Sequence, residues 1–167
     1  MTTLTIRIKK GKDGPHSLVC TRSDGSMTMQ HQRQEFFPLH DLIHYAVESV
    51  LAYRRGFFGL VAEGWDLSDF GTPWPRGPLP RDMDPAELIV GMLGLELTTR
   101  EAAPAEDVNA RVAHWYTENA PDQPLPERVD DGQLMRVREL IARLHGQWRR
   151  LGPGDGIELR FPPDSNA

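Results

Sequence analysis

The last patterned stretch of the 167-residue chain constrains its fold more than any other feature. Ile157, Leu159 and Phe161 alternate with Glu158 and Arg160, the two-residue period of a strand with one buried face. A lone strand after a long helical region would leave its backbone N–H and C=O groups unpaired along both edges. Partners are offered only near the start of the chain. There Leu4, Ile6 and Ile8 alternate with Thr5 and Arg7 over Thr3 to Lys9, Ser17 to Arg22 reads as a second strand, and Met27 to Arg33 as a third. The closing strand is expected to join this N-terminal sheet, which makes the chain ends neighbours and argues for one domain over residues 1–161, with 162–167 as a flexible tail.

Turn chemistry supports the sheet. Lys10 to Pro15 carries two glycines and a proline, and Ser23-Asp24-Gly25-Ser26 supplies an Asp-Gly pair suited to a tight hairpin. The third strand is polar (Gln30, His31, Gln32, Arg33), so it is expected at an edge, where it leaves room for pairing between subunits in a homo-oligomer.

Between the sheet segments the period changes to that of helices. Pro38 is expected to open a helix whose buried stripe is Leu39, Leu42, Ile43, Ala46, Val47, Val50 and Leu51, with Arg54-Arg55-Gly56 as its stop. The apolar run from Phe57 to Phe70 predicts a second helix, with Gly59 and Gly64 allowing close approach to the first. Thr72 to Pro85 contains five prolines and reads as a stiff connector. Asp84-Pro85-Ala86-Glu87 begins a third helix, Asp84 capping and Glu87 reaching back. A fourth is predicted over Ala105 to Asn119, and a fifth from Asp131 to Leu151, with Leu134, Val137, Leu140, Ile141, Leu144, Trp148 and Leu151 on one face. The expected class is α+β: an N-terminal three-stranded antiparallel meander joined by a C-terminal strand, with about five helices packed on it.

Charge and composition narrow the partners. A net charge of −5 and dispersed basic residues provide no field to attract nucleic acid. No run approaches the roughly 20 apolar residues of a membrane span, and MTTLTIRIKK lacks the apolar stretch of a signal peptide. A single cysteine, Cys20, rules out an internal disulfide and is compatible with a reducing compartment, so a cytoplasmic location is expected.

One segment, Pro38 to Glu48, concentrates chemistry. Residues four apart on a helix lie one turn up and about 40° round, so His40 and His44 project from the same side and are spaced to grip one metal ion. Asp41 lies near them on the same turn. His40-Asp41-Leu42-Ile43-His44 resembles the HExxH zinc helix of gluzincin metallopeptidases, with aspartate in place of glutamate. The resemblance covers residues 40 to 63, because eighteen residues separate His44 from Glu63, the spacing of that family's third ligand. It implies zinc held by His40, His44 and Glu63, with Asp41, one methylene shorter than the family's general base, as the catalytic group.

The competing reading makes both histidines half-buried packing residues and pairs Glu63 with His44, Arg54 or Arg55. With no intact catalytic motif, that reading leads: a small intracellular, non-catalytic binding or protein-interaction domain, the degenerate zincin-like protein or hydrolase being the alternative. Among other candidates, Trp65, Phe70 and Trp74 suggest an aromatic lip over a pocket. Cys20 has no adjacent histidine to activate it, and the glycine-rich 152–156 loop runs from helix to strand, the wrong order for cradling phosphate.

Overall fold

The computed structural model describes residues 2–163. Four strands form one antiparallel sheet: β1 (Leu4–Lys9), β2 (His16–Arg22), β3 (Met27–Gln32) and β4 (Gly156–Phe161), in the order β3-β2-β1-β4. The closing strand pairs with β1 along its whole length, Leu4 opposite Phe161 and Lys9 opposite Gly156. Its unpaired backbone is thus satisfied by the first strand of the chain, and the fold is the α+β arrangement the patterning predicts. The polar β3 is an edge strand, and the predicted tail falls largely on residues 164–167, outside the described residues.

Alternation places Leu4, Ile6, Ile8, Leu18, Cys20, Ile157 and Phe161 on one face of the sheet, all buried. Five helices follow β3: α1 (Phe36–Val50), α2 (Phe57–Ala62), α3 (Asp84–Thr99), α4 (Ala105–Asn119) and α5 (Asp131–Arg150). They bury two apolar clusters. One joins the sheet to Leu42 and Tyr45 of α1, Phe58 and Val61 of α2, and Leu144 and Trp148 of α5. The other joins Ile43, Ala46 and Val47 of α1 to Ile89, Val90 and Leu93 of α3, Val108 and Val112 of α4, and Leu134 and Val137 of α5. The first helix therefore serves both cores, and its remaining stripe lies in the seam between them.

The helix boundaries differ locally from expectation. α1 begins at Phe36, two residues before Pro38, which takes a first-turn position where its missing N–H costs nothing. It stops at Val50 rather than at Arg54-Arg55-Gly56, and Ala52 just beyond adopts φ 57°. The second helix ends at Ala62, not Phe70. Gly64, at φ 107°, turns the chain out of the helix, and only a short 3-10 helix, Leu67–Phe70, follows. Gly59 does permit a close approach, but to the connector after the first helix: a Cβ there would lie 2.0 Å from the Arg54 carbonyl oxygen. α3 begins at Asp84 without a side-chain cap, and Asp84 instead faces Arg81 at 3.5 Å. The strongest N-terminus is that of α5, where Asp130 accepts from the Gln133 backbone N–H at 2.7 Å and Gln133 reciprocates at 2.9 Å.

Two contacts fix the α2 region against the sheet. Arg22 on β2 donates to the carbonyls of Val61, in the last turn of α2, at 2.7 Å and of Trp65, just beyond it, at 2.6 Å. Thr28 on β3 accepts the Leu67 N–H at 3.0 Å. Together they hold the 3-10 helix beside α1, where it walls the site described next. No helix among the described residues is long and apolar enough to cross a membrane.

Candidate functional site

Three α1 residues at four-residue spacing, His40, His44 and Glu48, run along the stripe between the two cores. Glu48 is fully buried, and its carboxylate accepts the backbone N–H of Phe58 at 3.0 Å and of Gly59 at 3.2 Å. These are orphan donors in the first turn of α2, which has no other side-chain cap, so Glu48 caps that helix from the preceding one. The fit is close. A Cβ on Gly56 would stand 2.4 Å from the Glu48 Cδ, so glycine is required there.

The second carboxylate oxygen of Glu48 meets His44 Nδ1 at 3.3 Å. The opposite ring nitrogen, Nε2, faces His40 Nε2 at 3.2 Å and a carboxylate oxygen of Glu87, from the first turn of α3, at 3.7 Å. The His40 ring stacks on Phe36 with centroids 5.1 Å apart, and the His44 ring rests against Phe57 at 5.3 Å. Both imidazoles are thus held by packing as well as by polar contacts.

This chain of groups opens into a cavity of about 380 Å³ between α1, the start of α3 and the 3-10 helix. His40, Asp41, His44, Asp84 and Glu87, with Gln30 and Gln32 of β3, form its polar side, and Phe57, Leu67, Phe70, Leu79 and Met83 much of its apolar side. Among the described residues no lysine or arginine lines it, although Arg81 approaches Asp84 at 3.5 Å. Asp41 has neither a hydrogen bond nor an ion pair among the described residues.

Burial without a counter-charge sets the protonation states. It pushes the Asp41 carboxyl up to about 7. It pushes Glu48 up to about 8, against the opposing pull of the backbone N–H groups of Gly59, Phe58 and Phe57. Burial lowers His40 to about 4, helped by the neighbouring His44, and lowers His44 against the attraction of Glu87. Glu87 is raised, again chiefly by burial. Each group is driven toward its neutral form.

Of the sequence candidates, His40, Asp41 and His44 meet at this cavity, and Glu63 does not. Glu63 follows the last residue of α2, is exposed, and pairs with Arg55 at 3.1 Å, one of the pairings open to it from sequence. The reason lies in Gly56 and Glu48. They set α2 so that its N-terminus points at the α1 stripe and its C-terminus points away. The ligand set His40, His44 and Glu63 is therefore not assembled, and among the described residues no group of three or more His, Cys, Asp or Glu side chains is gathered to hold a metal ion. Nor do the aromatic candidates act together: Phe70 lines the cavity, Trp65 packs on Phe70 at 5.6 Å, and Trp74 is exposed. Cys20 is buried on β2, its thiol pushed up to about 12 by burial.

Two site residues escaped the sequence reading. Glu48 continues the spacing of the two histidines by one more turn, a signal that was available. Glu87 read as a helix-start residue, and only the packing of α3 on α1 aims it at His44.

Fold and site together define a two-layer α+β protein with a titratable cavity in its helical layer. No family model matches the chain, and no curated protein or solved structure gives a significant match.

Proposed function

We propose that this protein is a binding protein whose cavity, framed by His40, Asp41, His44 and Glu87, takes a cationic ligand. The observation that carries the reading is the imbalance of the lining: Asp41, Glu87 and two imidazoles with no lysine or arginine among them, Asp84 alone being answered by Arg81 at 3.5 Å from outside the lining. Asp41 is drawn out of water with neither a hydrogen bond nor an ion pair among the described residues, which costs free energy, and a bound cation would remove that cost. The pKa displacements run in the same sense, since burial holds Asp41 and Glu87 toward their protonated forms, in Glu87 against the pull of His44.

Two kinds of cation suit such a lining. A metal ion would use the imidazole nitrogens and carboxylate oxygens as donors. An organic ammonium would place its charge at Asp41 and Glu87 and its body against Phe57, Phe70 and Met83. Calorimetric titration of the protein at pH 7.5 with zinc, and separately with phenethylammonium, tests the reading. Saturable binding of either at one equivalent, weakened at least tenfold by Asp41→Asn or Glu87→Gln, is the expected result. Failure of both cations to bind would end the proposal.

A further inference from the structure

Resting on that reading, we infer that the cation is a transition metal ion of the zinc type, held by His40 Nε2, His44 Nε2 and the Glu87 carboxylate, with Glu48 as the residue that positions His44. Glu87 takes the place that the spacing from His44 assigned to Glu63.

The two imidazole nitrogens come first. Ligand nitrogens bound at about 2.0–2.1 Å to a tetrahedral ion stand roughly 3.3–3.4 Å from one another. His40 Nε2 and His44 Nε2 stand 3.2 Å apart, with their rings at 81° and their centroids at 4.8 Å. A hydrogen bond between the rings uses one Nε2–H and one Nε2 lone pair, and the same separation also suits two lone pairs turned to one ion. It matches two corners of a coordination tetrahedron.

The second observation is the support behind His44. A metal-bound histidine commonly donates its other ring N–H to a carboxylate, which fixes both the tautomer and the ring orientation. His44 Nδ1 faces the Glu48 carboxylate at 3.3 Å, and Glu48 is itself immobilised by the Phe58 and Gly59 N–H groups. Glu48 thus does two things, capping α2 through one oxygen and facing His44 Nδ1 with the other. A metal ion at Nε2 would select the tautomer with the proton on Nδ1, facing Glu48, and with the Nε2 lone pair toward the cavity.

The third donor is adjacent. A Glu87 carboxylate oxygen lies 3.7 Å from His44 Nε2, and its side chain is 41% exposed. The three groups are not gathered as they stand, so closing the set requires the Glu87 side chain to turn toward the two rings. Three protein donors would leave a fourth position open on a tetrahedral ion, in a cavity also lined by Asp41, Phe57 and Phe70. That open position distinguishes the site from a purely structural one.

The test uses the full chain, stripped with chelator and then titrated with zinc and with cobalt(II), whose visible absorption reports a four-coordinate site. One equivalent of each is expected, with intense cobalt bands. His40→Ala should abolish those bands, Glu87→Gln should weaken zinc binding at least tenfold, and Glu63→Ala should leave both unchanged. His44 is buried, so His44→Ala risks misfolding. The half-exposed His40 and Glu87 carry the decision instead, with circular dichroism of each variant confirming the fold. Zinc binding that survives both His40→Ala and Glu87→Gln overturns the assignment. So does phenethylammonium binding without any zinc uptake, although the cation-binding reading would then stand. If neither cation binds, both fall together.

Discussion

Two buried polar junctions tie helices together in this molecule, and they are built to opposite specifications. At the first, the Asn109 side chain on α4 meets the backbone of Val129, its amide donating to the carbonyl at 2.8 Å and its oxygen accepting the N–H at 3.0 Å. One neutral side chain satisfies one peptide unit in both directions, and nothing is left over. At the second, Glu48, His44, His40, Glu87 and Asp41 collect five titratable groups along one seam, bordering a cavity and lacking a cationic partner there. The first junction is what a chain needs to close a loop against a helix. The second exceeds any such need, and that excess is what the proposed cation binding rests on.

The comparison breaks most sharply at Glu48. Glu48→Ala would orphan the Phe58 and Gly59 N–H groups inside the protein and leave His44 Nδ1 without its partner. A loss of about 3 kcal/mol is expected, measured as a shift in the urea midpoint. Asn109→Ala should cost about 2 kcal/mol by the same measurement, because it strands one N–H and one C=O. The magnitudes are similar, but only the Glu48 variant should change cation binding. If Asn109→Ala weakened binding as much, the contrast between a structural and a functional junction would be lost.

Dependence on pH sharpens the contrast further. In the folded chain Asp41 and Glu48 keep their protons up to about pH 7 and 8, whereas their ordinary values are 3.8 and 4.5. Between those limits the native state binds more protons than the unfolded one, so stability falls as pH rises. Glu87 is shifted in the same direction. The imidazoles oppose this: His40, lowered from 6.5 to about 4, contributes stability that is lost as pH falls through that window, and His44 follows in direction. Above pH 6.5 the imidazoles are neutral in both states and the carboxyl effect stands alone. The urea midpoint should therefore decline between pH 6.5 and 8. Asp41→Asn should lessen the decline, gaining on the order of 1 kcal/mol at pH 8 and little at pH 5, a figure well below the full displacement because the carboxyl borders an open cavity. Asn109→Ala should leave the slope as it is.

How much of this was legible in the sequence follows from the range of each interaction. The alternation at Ile157, Leu159 and Phe161 and the need to pair its backbone were sufficient to join the last strand to the first, because strand pairing is obligatory. The spacing of His40 and His44 placed two rings together, because helical geometry is local. The direction of α2 was not legible. It depends on the buried Glu48 reaching across to backbone N–H groups ten and eleven residues later, and on a glycine at 56 that admits it. Nor was Glu87, whose approach to His44 follows from the apolar packing of Ile89, Val90 and Leu93 against α1. Counting eighteen residues from His44 therefore selected Glu63, a correct spacing on a helix that points elsewhere.

The smallest predicted effect concerns that residue. Glu63 and Arg55 form an exposed pair at 3.1 Å, with Asp82 also contacting Arg55. Side chains more than two-fifths exposed at both ends exchange a solvent-screened attraction for lost rotamer freedom. Glu63→Ala should change stability by no more than about 0.5 kcal/mol, and Arg55 would retain Asp82 as a partner. Cation binding should be unaltered in the same variant. A zinc affinity that fell tenfold with Glu63→Ala, while Glu87→Gln left it untouched, would mean that α2 rotates on binding to deliver Glu63 to the histidines. The Glu48 cap argues against such a rotation, because turning α2 would first break the hydrogen bonds to Phe58 and Gly59 and return a buried carboxylate to isolation.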